Sequence, residues 1–247
     1  SDLESFTAEH VLTDGNLVAS YGRMLVDVVE GPSDPPLDTM RLGPLEPKHM
    51  LMRLDVPDGT HRVRVIADPV MTRWDEVDVT VTTGVVEVPP EHIVQVTVHR
   101  HGRTEAVPHA ALLSGWGHWD GAIATTVAHD THNLVVFGRD ANEMALAANT
   151  VIASGGGVAV IRGRDVLAHI ALPIAGILSP LPAAEVAEAQ RVTQDAAVGI
   201  GLFAGWLTQP LFQVMLSSLA CLPGPHVTDV GLIDGTTGEV VATALIS

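Results

Sequence analysis

The sequence predicts an α+β or mixed α/β fold: a β-rich N-terminal segment, followed by layered mixed sheets with packing helices. Three observations support this fold class. Residues 61–100 contain segments that alternate apolar and polar side chains, as half-buried strands do. Residues 121–180 give strand, helix, strand and hairpin patterns in succession. Apolar residues make up 47% of the 247 residues, so the chain can bury a sizeable core.

The N-terminal segment is predicted to contain short strands and to end at a linker. In residues 1–30, the sequence TDGN separates the first two apolar runs, and Asp-Gly tolerates the positive φ that a tight hairpin needs. A third run, RMLVDVVE, follows. Residues 31–48 are rich in proline and predict an extended connector. A boundary is therefore placed there, with the main domain over residues 49–247.

Residues 61–100 predict half-buried strands. The segments HRVRVIAD and VDVTVTT alternate in polarity from one residue to the next. The segment EHIVQVTVHR does the same, and it places His92, Val94, Val96 and Val98 on one side of its strand. The following segment, HGRTEAVPHAALLSGWGHWD, mixes glycine, tryptophan and histidine. It indicates an ordered loop over a site, or a short helix.

Residues 121–180 contain the clearest helix signals. GAIATTVA and NLVVFG predict two buried strands before the helix. Asp140 is a favourable N-cap, Glu143 completes a capping-box pattern, and Gly155 supplies the C-terminal stop. GVAVIRG and DVLAHIAL then predict two strands that are joined at Gly163.

The last third of the sequence predicts two more helices and a hairpin. Residues 182–198 form an Ala-rich helix that has Pro182 near its first turn. Residues 210–222 predict a buried helix. The tail predicts a hairpin around DGTTGE.

Composition excludes several classes of protein. With 29 acidic and 13 basic residues the net charge is −16, so nucleic acid is not an expected partner. A single cysteine, Cys221, excludes an internal disulfide and a multi-cysteine zinc site, and it is predicted to be buried and inert. An apolar run of about 20 residues, which a membrane helix needs, is absent from the sequence. The start, SDLESF, is neither an initiator methionine nor a signal peptide, which indicates an intracellular fragment or processed product.

The segment AHDTHN, residues 128–133, places polar side chains between two strands that are predicted to be buried. A turn there can bring His129, Asp130 and His132 together. The set could bind Zn, Mn or Fe, but the spacing alone is weak support. A hydrogen-bonded turn without function and a polar cluster that faces a substrate or a neighbouring domain are equally open alternatives.

The segment VHRHGRT ends another predicted strand with His99, Arg100 and His101. If the strand continues, the two histidines share a face and Arg100 points away. The segment then forms either an exposed polar strand end or a contact for an anion or base near the same cleft. The three glycines of SGGGVAV follow a helix and precede a strand, the reverse of the dinucleotide-binding order, so they predict a helix stop.

Residues 115–188 closely resemble the C-terminal part of bacterial adenine deaminases, which belong to the amidohydrolase superfamily. The resemblance is carried by GWGHWDGAIATTVAHDTHNLVVFGRDANEMALAANTVIASGGGVAVIRG and the residues that follow. It continues more weakly over VRVIAD and over QPLFQVMLSSLACLPGPHVTDVGLID. The opening residues look like the stretch that follows the family's catalytic barrel, where the chain returns to a small β domain.

The resemblance implies an activity, the hydrolysis of adenine to hypoxanthine and ammonia. In the family, two divalent metals, commonly Mn, Fe or Zn, activate the attacking water, and their ligands lie on the barrel. No metal is therefore expected in this chain alone. The implied partners are an amidohydrolase barrel in the same polypeptide and adenine or a related purine. A cytoplasmic homo-oligomer without nucleic-acid or membrane partners is expected.

The resemblance also implies where the functional side chains lie. The main catalytic residues are expected in the barrel. The residues expected to face the active site, ordering it or touching the substrate, are His129, Asp130, His132, Asn133, His99 and His101. Two alternatives remain: a free-standing, non-catalytic binding or assembly module, and a metal site built from residues 128–133 with His99 or His101.

Overall fold

The structure, a computed structural model, describes residues 7–27, 34–202 and 209–246. The chain divides into two compact units, residues 1–35 and residues 36–247. Among the described residues the elements are three helices and three sheets, one of them a nine-stranded mixed sheet. The predicted α+β class is confirmed. The assignment of residues 1–30, 31–48 and 49–247 to three functional regions stays a prediction.

The first unit contains a small antiparallel sheet. Its strands are β1 (His10–Thr13), β2 (Asn16–Ser20) and β3 (Arg23–Met24). The predicted hairpin between the first two strands is confirmed, because Asp14 and Gly15 take positive φ values of 49° and 81°. The third strand is shorter than the apolar run that predicted it, and residues 28–30 of that run lie outside the described residues.

A nine-stranded sheet is the framework of the second unit. Its strands are β4 (Gly59–Ala67), β5 (Arg73–Thr82), β6 (Val85–Val86), β7 (His92–Val98), β8 (His109–Ser114), β9 (Ala122–Thr125), β10 (Leu134–Gly138), β11 (Gly157–Arg162) and β12 (Asp165–Ala171). Their order across the sheet is β12-β11-β9-β10-β7-β8-β4-β5-β6. Neighbouring strands run antiparallel except for the parallel pair of β4 and β8. The central strands β9, β10 and β7 are covered by other elements on both faces of the sheet, and they are therefore buried.

Helices and a small third sheet cover the two faces of this framework. The remaining elements are a 3-10 turn (Pro47–Met50), α1 (Ala141–Ala153), α2 (Ala183–Gly199), α3 (Leu211–Leu216), and the hairpin strands β13 (Pro225–Thr228), β14 (Gly231–Asp234) and β15 (Glu239–Val241). On one face, α1 packs over β9, β10 and β11. The opposite face carries a second core with residues of the α2 and α3 segments and of β13. Each face of the central strands therefore has its own core.

Two-sided burial corrects the prediction of half-buried strands for β7. Its valines belong to the core beneath α1, while Ile93 belongs to the core on the opposite face. Polar Gln95 and Thr97 on that second face are also buried, and both donate to the Val227 carbonyl, at 3.5 and 3.0 Å. The alternation in the sequence distinguishes two buried faces, one apolar and one partly polar.

The strand β8 corrects the prediction for residues 101–120, where a loop or a short helix was expected. Its residues pair with β7 on one side and with β4 on the other. The flanking Trp116 and Trp119 are buried in the second core beside Phe137, with ring centroids 5.7 and 6.2 Å from it. Long-range pairing decides the conformation here, since the run HAALLS is too short to show a strand periodicity of its own.

The helix and hairpin predictions for residues 121–180 are confirmed, with one correction. The Asp140 side chain caps α1 by accepting hydrogen bonds from the N–H groups of Asn142 and Glu143. Gly155 ends the helix with φ 74°. Glu143 does not return to the cap as a capping box requires, because its carboxylate accepts a hydrogen bond from the Gly163 N–H of the β11–β12 hairpin.

The C-terminal third agrees with the predictions except at one helix and the cysteine. The Ala-rich helix begins after Pro182, and the DGTTGE hairpin joins β14 to β15. The helix α3 covers only the first part of the range 210–222 that was predicted for it. Cys221 therefore lies beyond the helix and is exposed, so the prediction of burial is wrong. In the parts of the chain that the structure describes, no helix is long and apolar enough to cross a membrane.

Candidate functional site

The six residues predicted to face an active site meet where β7 ends and β10 begins. These strand ends form one edge of the nine-stranded sheet. Strands β7 and β10 are antiparallel, and Leu134 at the start of β10 lies opposite Val98 at the end of β7. The histidines after β7 therefore lie beside the turn before β10. The register of two buried strands thus joins two segments that are 30 residues apart, for example at the contact between His101 and Thr131.

Main-chain hydrogen bonds fold residues 128–133 into a closed turn. The N–H of His132 donates to the Ala128 carbonyl at 2.7 Å, and His132 has a positive φ of 49°. The N–H of His129 donates to the Met215 carbonyl in α3 at 2.9 Å. The turn is thereby attached to the helical layer as well as to the sheet.

Thr126, just before the turn, forms hydrogen bonds with Gly157, in the glycine run after α1, and with Gly176, in the loop after β12. Its hydroxyl donates to the Gly176 carbonyl at 2.6 Å and accepts from the Gly157 N–H at 2.8 Å. Gly156 packs directly on Gly176, since a Cβ atom at Gly156 would lie 2.5 Å from the Gly176 Cα atom. The glycine run thus ends the helix, as predicted, and also permits this close backbone packing.

Within the turn, the two histidines lie side by side, and the polar side chains differ in how exposed they are. The rings of His129 and His132 are 5.2 Å apart between centroids, and His129 Nδ1 is 3.7 Å from Asp130 Oδ1. The side chain of Asp130 is 77% exposed and that of His129 is 42% exposed. By contrast, Asn133 is buried, and its amide donates to the Thr131 hydroxyl at 3.0 Å. The side chains of Asp130 and His129 can reach a ligand, and the buried Asn133 supports the turn from within.

The histidines after β7 are held by hydrogen bonds of their own. His99 is only 7% exposed and its Nδ1 is 2.9 Å from an Asp229 carboxylate oxygen. Because its Nε2 accepts from the Arg103 N–H at 3.2 Å, the ring proton lies on Nδ1 and points at Asp229. His101 donates from Nε2 to the Thr131 carbonyl at 2.9 Å. The alternative of an exposed polar strand end is wrong for His99, because the β13–β14 connection covers it.

Electrostatics favour the neutral form of two imidazoles at this edge, those of His132 and His101. Burial lowers the pKa of His132 below its usual value of 6.5, and the neighbouring His129 and Arg100 lower it further. Burial also lowers the pKa of His101, as does the charge of Arg100, against an opposing hydrogen bond to Thr131. The Nδ1 atom of His132 is buried and has no hydrogen-bond partner among the described residues. A neutral His132 therefore keeps one ring nitrogen that forms no internal hydrogen bond.

Arg100 is the residue that the sequence analysis missed at this site. It was predicted to point away from the two histidines if the strand continued, but β7 ends at Val98. The Arg100 side chain is 0% exposed and enters the protein beneath the turn. Its guanidinium donates to the main-chain carbonyls of His132, Thr39 and Ala175, and burial lowers its pKa to about 10. No local pattern could reveal this, because the three acceptors come from three distant segments.

Metal ligands are not assembled in this part of the protein. Over residues 7–27, 34–202 and 209–246, no group of three or more His, Cys, Asp or Glu side chains is placed to hold a metal ion. The described residues thus do not fit the pair of divalent metals that the resemblance implies. They also do not supply the ligand set that a metal site in residues 128–133 with His99 or His101 would need.

Comparison with known proteins identifies the family. Residues 69–239 match the adenine deaminase C-terminal domain family. An adenine deaminase of Klebsiella pneumoniae is 44% identical over 245 residues, which cover 97% of this chain and 40% of that protein. An adenine deaminase of Serratia proteamaculans is 42% identical over 245 residues, with the same coverage of 97% and 40%.

The adenine deaminase 2 of Agrobacterium fabrum is 42% identical over 254 residues, which cover 99% of this chain and 40% of that protein. The chain thus spans about 40% of the length of the curated relatives it matches. The resemblance predicted from the sequence is confirmed, and the match covers both the turn and the strands that hold it. The chain belongs to the adenine deaminase C-terminal domain family.

Proposed function

We propose that this chain is the C-terminal portion of an adenine deaminase, an enzyme that converts adenine and water to hypoxanthine and ammonia. The observation that carries the proposal is the identity of 44% to an adenine deaminase over 97% of this chain. The same alignment covers 40% of that relative. A domain that works within a larger enzyme accounts for this coverage better than a free-standing binding or assembly module does.

The proposal divides the work between this chain and an amidohydrolase barrel in the same polypeptide. The barrel would carry the main catalytic residues and the divalent metals, Mn, Fe or Zn, which when bound activate a water molecule. Since the described residues do not fit a metal centre, their contribution is to order the site and to contact the purine. We place the enzyme in the cytoplasm, which a chain with one cysteine fits, and homo-oligomer formation stays a prediction.

The edge that carries the 128–133 turn is proposed to face the active site. His129 and Asp130 are the exposed members and can donate to or accept from a polar heterocycle. His132 and Asn133 lie behind them. His101 supports the turn through the Thr131 carbonyl, and His99 is held beside His101 by its hydrogen bond to Asp229. In this arrangement no proton transfer is assigned to the chain. Its groups order the site and hold the substrate.

Alanine substitutions in the full-length protein test the proposal. We expect His129→Ala and His132→Ala each to lower kcat/KM for adenine by about 10- to 100-fold, since misplacement of the substrate costs rates of that order. The measurement is the loss of purine absorbance with time. His118→Ala is the matched control, because His118 is exposed in the loop before β9, at the other end of that strand from the turn.

The outcomes separate the parts of the proposal. If the full-length protein does not deaminate adenine, the proposed activity is wrong. If it does, and both turn variants keep kcat/KM within about twofold of the wild type, the turn is only structural.

A further inference from the structure

Within the part of the chain that the structure describes, Arg100 is a buried cation that has no anionic partner. None of the ion pairs formed by the described residues includes it. Its guanidinium donates to the carbonyls of Thr39 at 3.0 Å and Ala175 at 2.8 Å, to the Thr39 hydroxyl at 3.1 Å, and to the His132 carbonyl. Every acceptor is an uncharged oxygen.

Such an arrangement is a poor source of stability. Burying a cation is costly, and carbonyl dipoles offset the loss of hydration less completely than a carboxylate does. An apolar side chain of similar length would avoid that cost. What arginine offers instead is geometry, because a planar fork presents five N–H donors in fixed directions and can join several segments at once.

Arg100 joins three segments that are distant from one another in the sequence. Thr39 lies in the connector before the 3-10 turn, His132 lies in the candidate site, and Ala175 lies in the loop after β12. Gly176 closes the remaining side, since a Cβ atom there would be 2.6 Å from an Arg100 guanidinium nitrogen. The guanidinium is therefore held by hydrogen bonds to three segments and by the close approach of Gly176.

The Arg100 main chain reinforces the same connection. Its N–H donates to the Asn133 side-chain oxygen at 3.4 Å, and its carbonyl accepts from the Arg41 N–H at 2.8 Å. Residues 132 and 133 are thus both tied to one arginine, one through its side chain and one through its backbone.

We propose that Arg100 is a positioning residue for the deamination reaction: its fork fixes the His132 carbonyl and thereby the conformation in which residues 128–133 face the substrate. The inference rests on the proposed function, because it assumes that the turn takes part in the reaction. Arg100 itself is enclosed and touches no substrate. Its charge also disfavours protonation of His132 and His101, which keeps both rings available as neutral hydrogen-bonding groups.

Arg139 provides a matched control. Its guanidinium also donates to main-chain carbonyls, those of Val88 at 3.3 Å, of Pro89 and Pro90 at 2.7 Å each, and of His92. It follows β10, whereas the turn precedes β10. Replacing either arginine removes the same type of interaction, but only Arg100 contacts the turn.

The test compares Arg100→Met with Arg139→Met in the full-length protein. Hydrogen–deuterium exchange with mass spectrometry should show faster exchange for Arg100→Met in peptides that cover residues 128–134 and 173–177. For Arg139→Met the increase should fall in residues 88–92 instead. We expect kcat for adenine to fall about 10- to 100-fold in Arg100→Met, with a smaller change in KM, and to stay within about twofold in Arg139→Met.

Arg100→Lys separates geometry from charge, and it decides the matter if Arg100→Met does not fold. Lysine keeps the cation but lacks the planar fork, so we expect the same exchange pattern and a fall in kcat of about 5- to 20-fold. Wild-type kcat in Arg100→Lys would show that the charge alone matters and would overturn the inference.

Two further results would also overturn it: unchanged exchange at residues 128–134 in both Arg100 variants, or faster exchange there with unchanged kcat. Because the wild-type enzyme is assayed alongside, these failures are distinct from a failure of the proposed function, in which the wild type itself would not deaminate adenine.

Discussion

Two turns of the same sheet are built in opposite ways. The β11–β12 turn, at Gly163 and Arg164, is exposed and joins its strands with the shortest possible connection. Gly163 supplies the positive φ of 61°, and its N–H donates to the Glu143 carboxylate. The turn between β9 and β10 is longer, and it is held by Met215, Arg100 and the residues around Gly176.

The contrast shows that the two turns draw their stability from different sources. A tight turn needs only a residue that accepts left-handed φ, so its conformation is set by its own sequence. The β9–β10 turn places a non-glycine residue, His132, at φ 49° and keeps it there through contacts with remote segments. Such contacts can hold polar side chains in fixed positions without any local turn signal.

The largest expected effect comes from placing a methyl group beside Arg100. Gly176→Ala would bring a Cβ atom to 2.6 Å from the guanidinium at φ +73°, so both overpacking and left-handed strain act. We expect the free energy of unfolding to fall by about 2–4 kcal/mol. Urea unfolding followed by the fluorescence of the buried Trp116 and Trp119 measures it.

Gly163→Ala is the control for that experiment. Gly163 also has a positive φ, +61°, but nothing lies within 4 Å of a Cβ atom placed there. Only the backbone strain remains, which costs about 1–2 kcal/mol. Equal losses of unfolding free energy in the two variants would mean that the guanidinium shifts at little cost. The two turns would then not differ in their dependence on remote contacts.

A smaller effect is expected from pH, because the remotely held turn contains a histidine with a shifted pKa, His132. In the folded chain the pKa of His132 lies below 6.5, so between that value and 6.5 the unfolded chain binds more protons. Stability is therefore fully present above about pH 6.5 and falls as the pH decreases below it. The lowered pKa of His101, His92 and His169 acts in the same direction.

His132→Asn isolates the contribution of the turn. Asparagine tolerates positive φ and does not titrate. We expect the loss of unfolding free energy between pH 7.5 and pH 5.5 to be smaller in this variant than in the wild type, measured by urea unfolding at both pH values. An identical loss in both proteins would show that His132 is not held in its neutral form.

Local signals account for what the sequence predicted correctly. The Asp140 cap, the Gly155 stop and the Asp14–Gly15 hairpin each depend on residues within a few positions of one another. Six residues were also expected to lie together at one site. That expectation came from the resemblance to a family and not from their spacing in the sequence. The spacing of the histidines alone left three possibilities open for the turn: a metal site, a turn without function and a substrate contact.

What the sequence could not predict depends on contacts between distant segments. β8 becomes a strand because β7 and β4 offer it partners, and β7 is buried on both faces because the segment around β13 covers it. The buried position of Arg100 was missed because its acceptors lie in other segments. Cys221 is exposed because α3 stops before reaching it. For β8, β7 and Arg100, segments elsewhere in the chain decided the outcome, whereas for Cys221 it was the early end of the neighbouring helix.

The smallest expected effect lies at the β11–β12 turn. Glu143→Ala removes the acceptor of the Gly163 N–H, but Gly163 is exposed and water can replace the carboxylate. The loss should be about 0.5–1 kcal/mol, from the hydrogen bond and from the favourable charge in the first turn of α1.

Glu143→Gln separates these two contributions, since it keeps an acceptor oxygen and removes the charge. We expect it to recover part of the loss, with unfolding free energies again taken from urea titrations. Because Gly163 itself fixes the turn, neither substitution should change its conformation or the pairing of β11 with β12. A loss in Glu143→Ala as large as that in Gly176→Ala would show that the β11–β12 turn, too, depends on a remote contact. The two turns would then differ in length and exposure but not in how they are held.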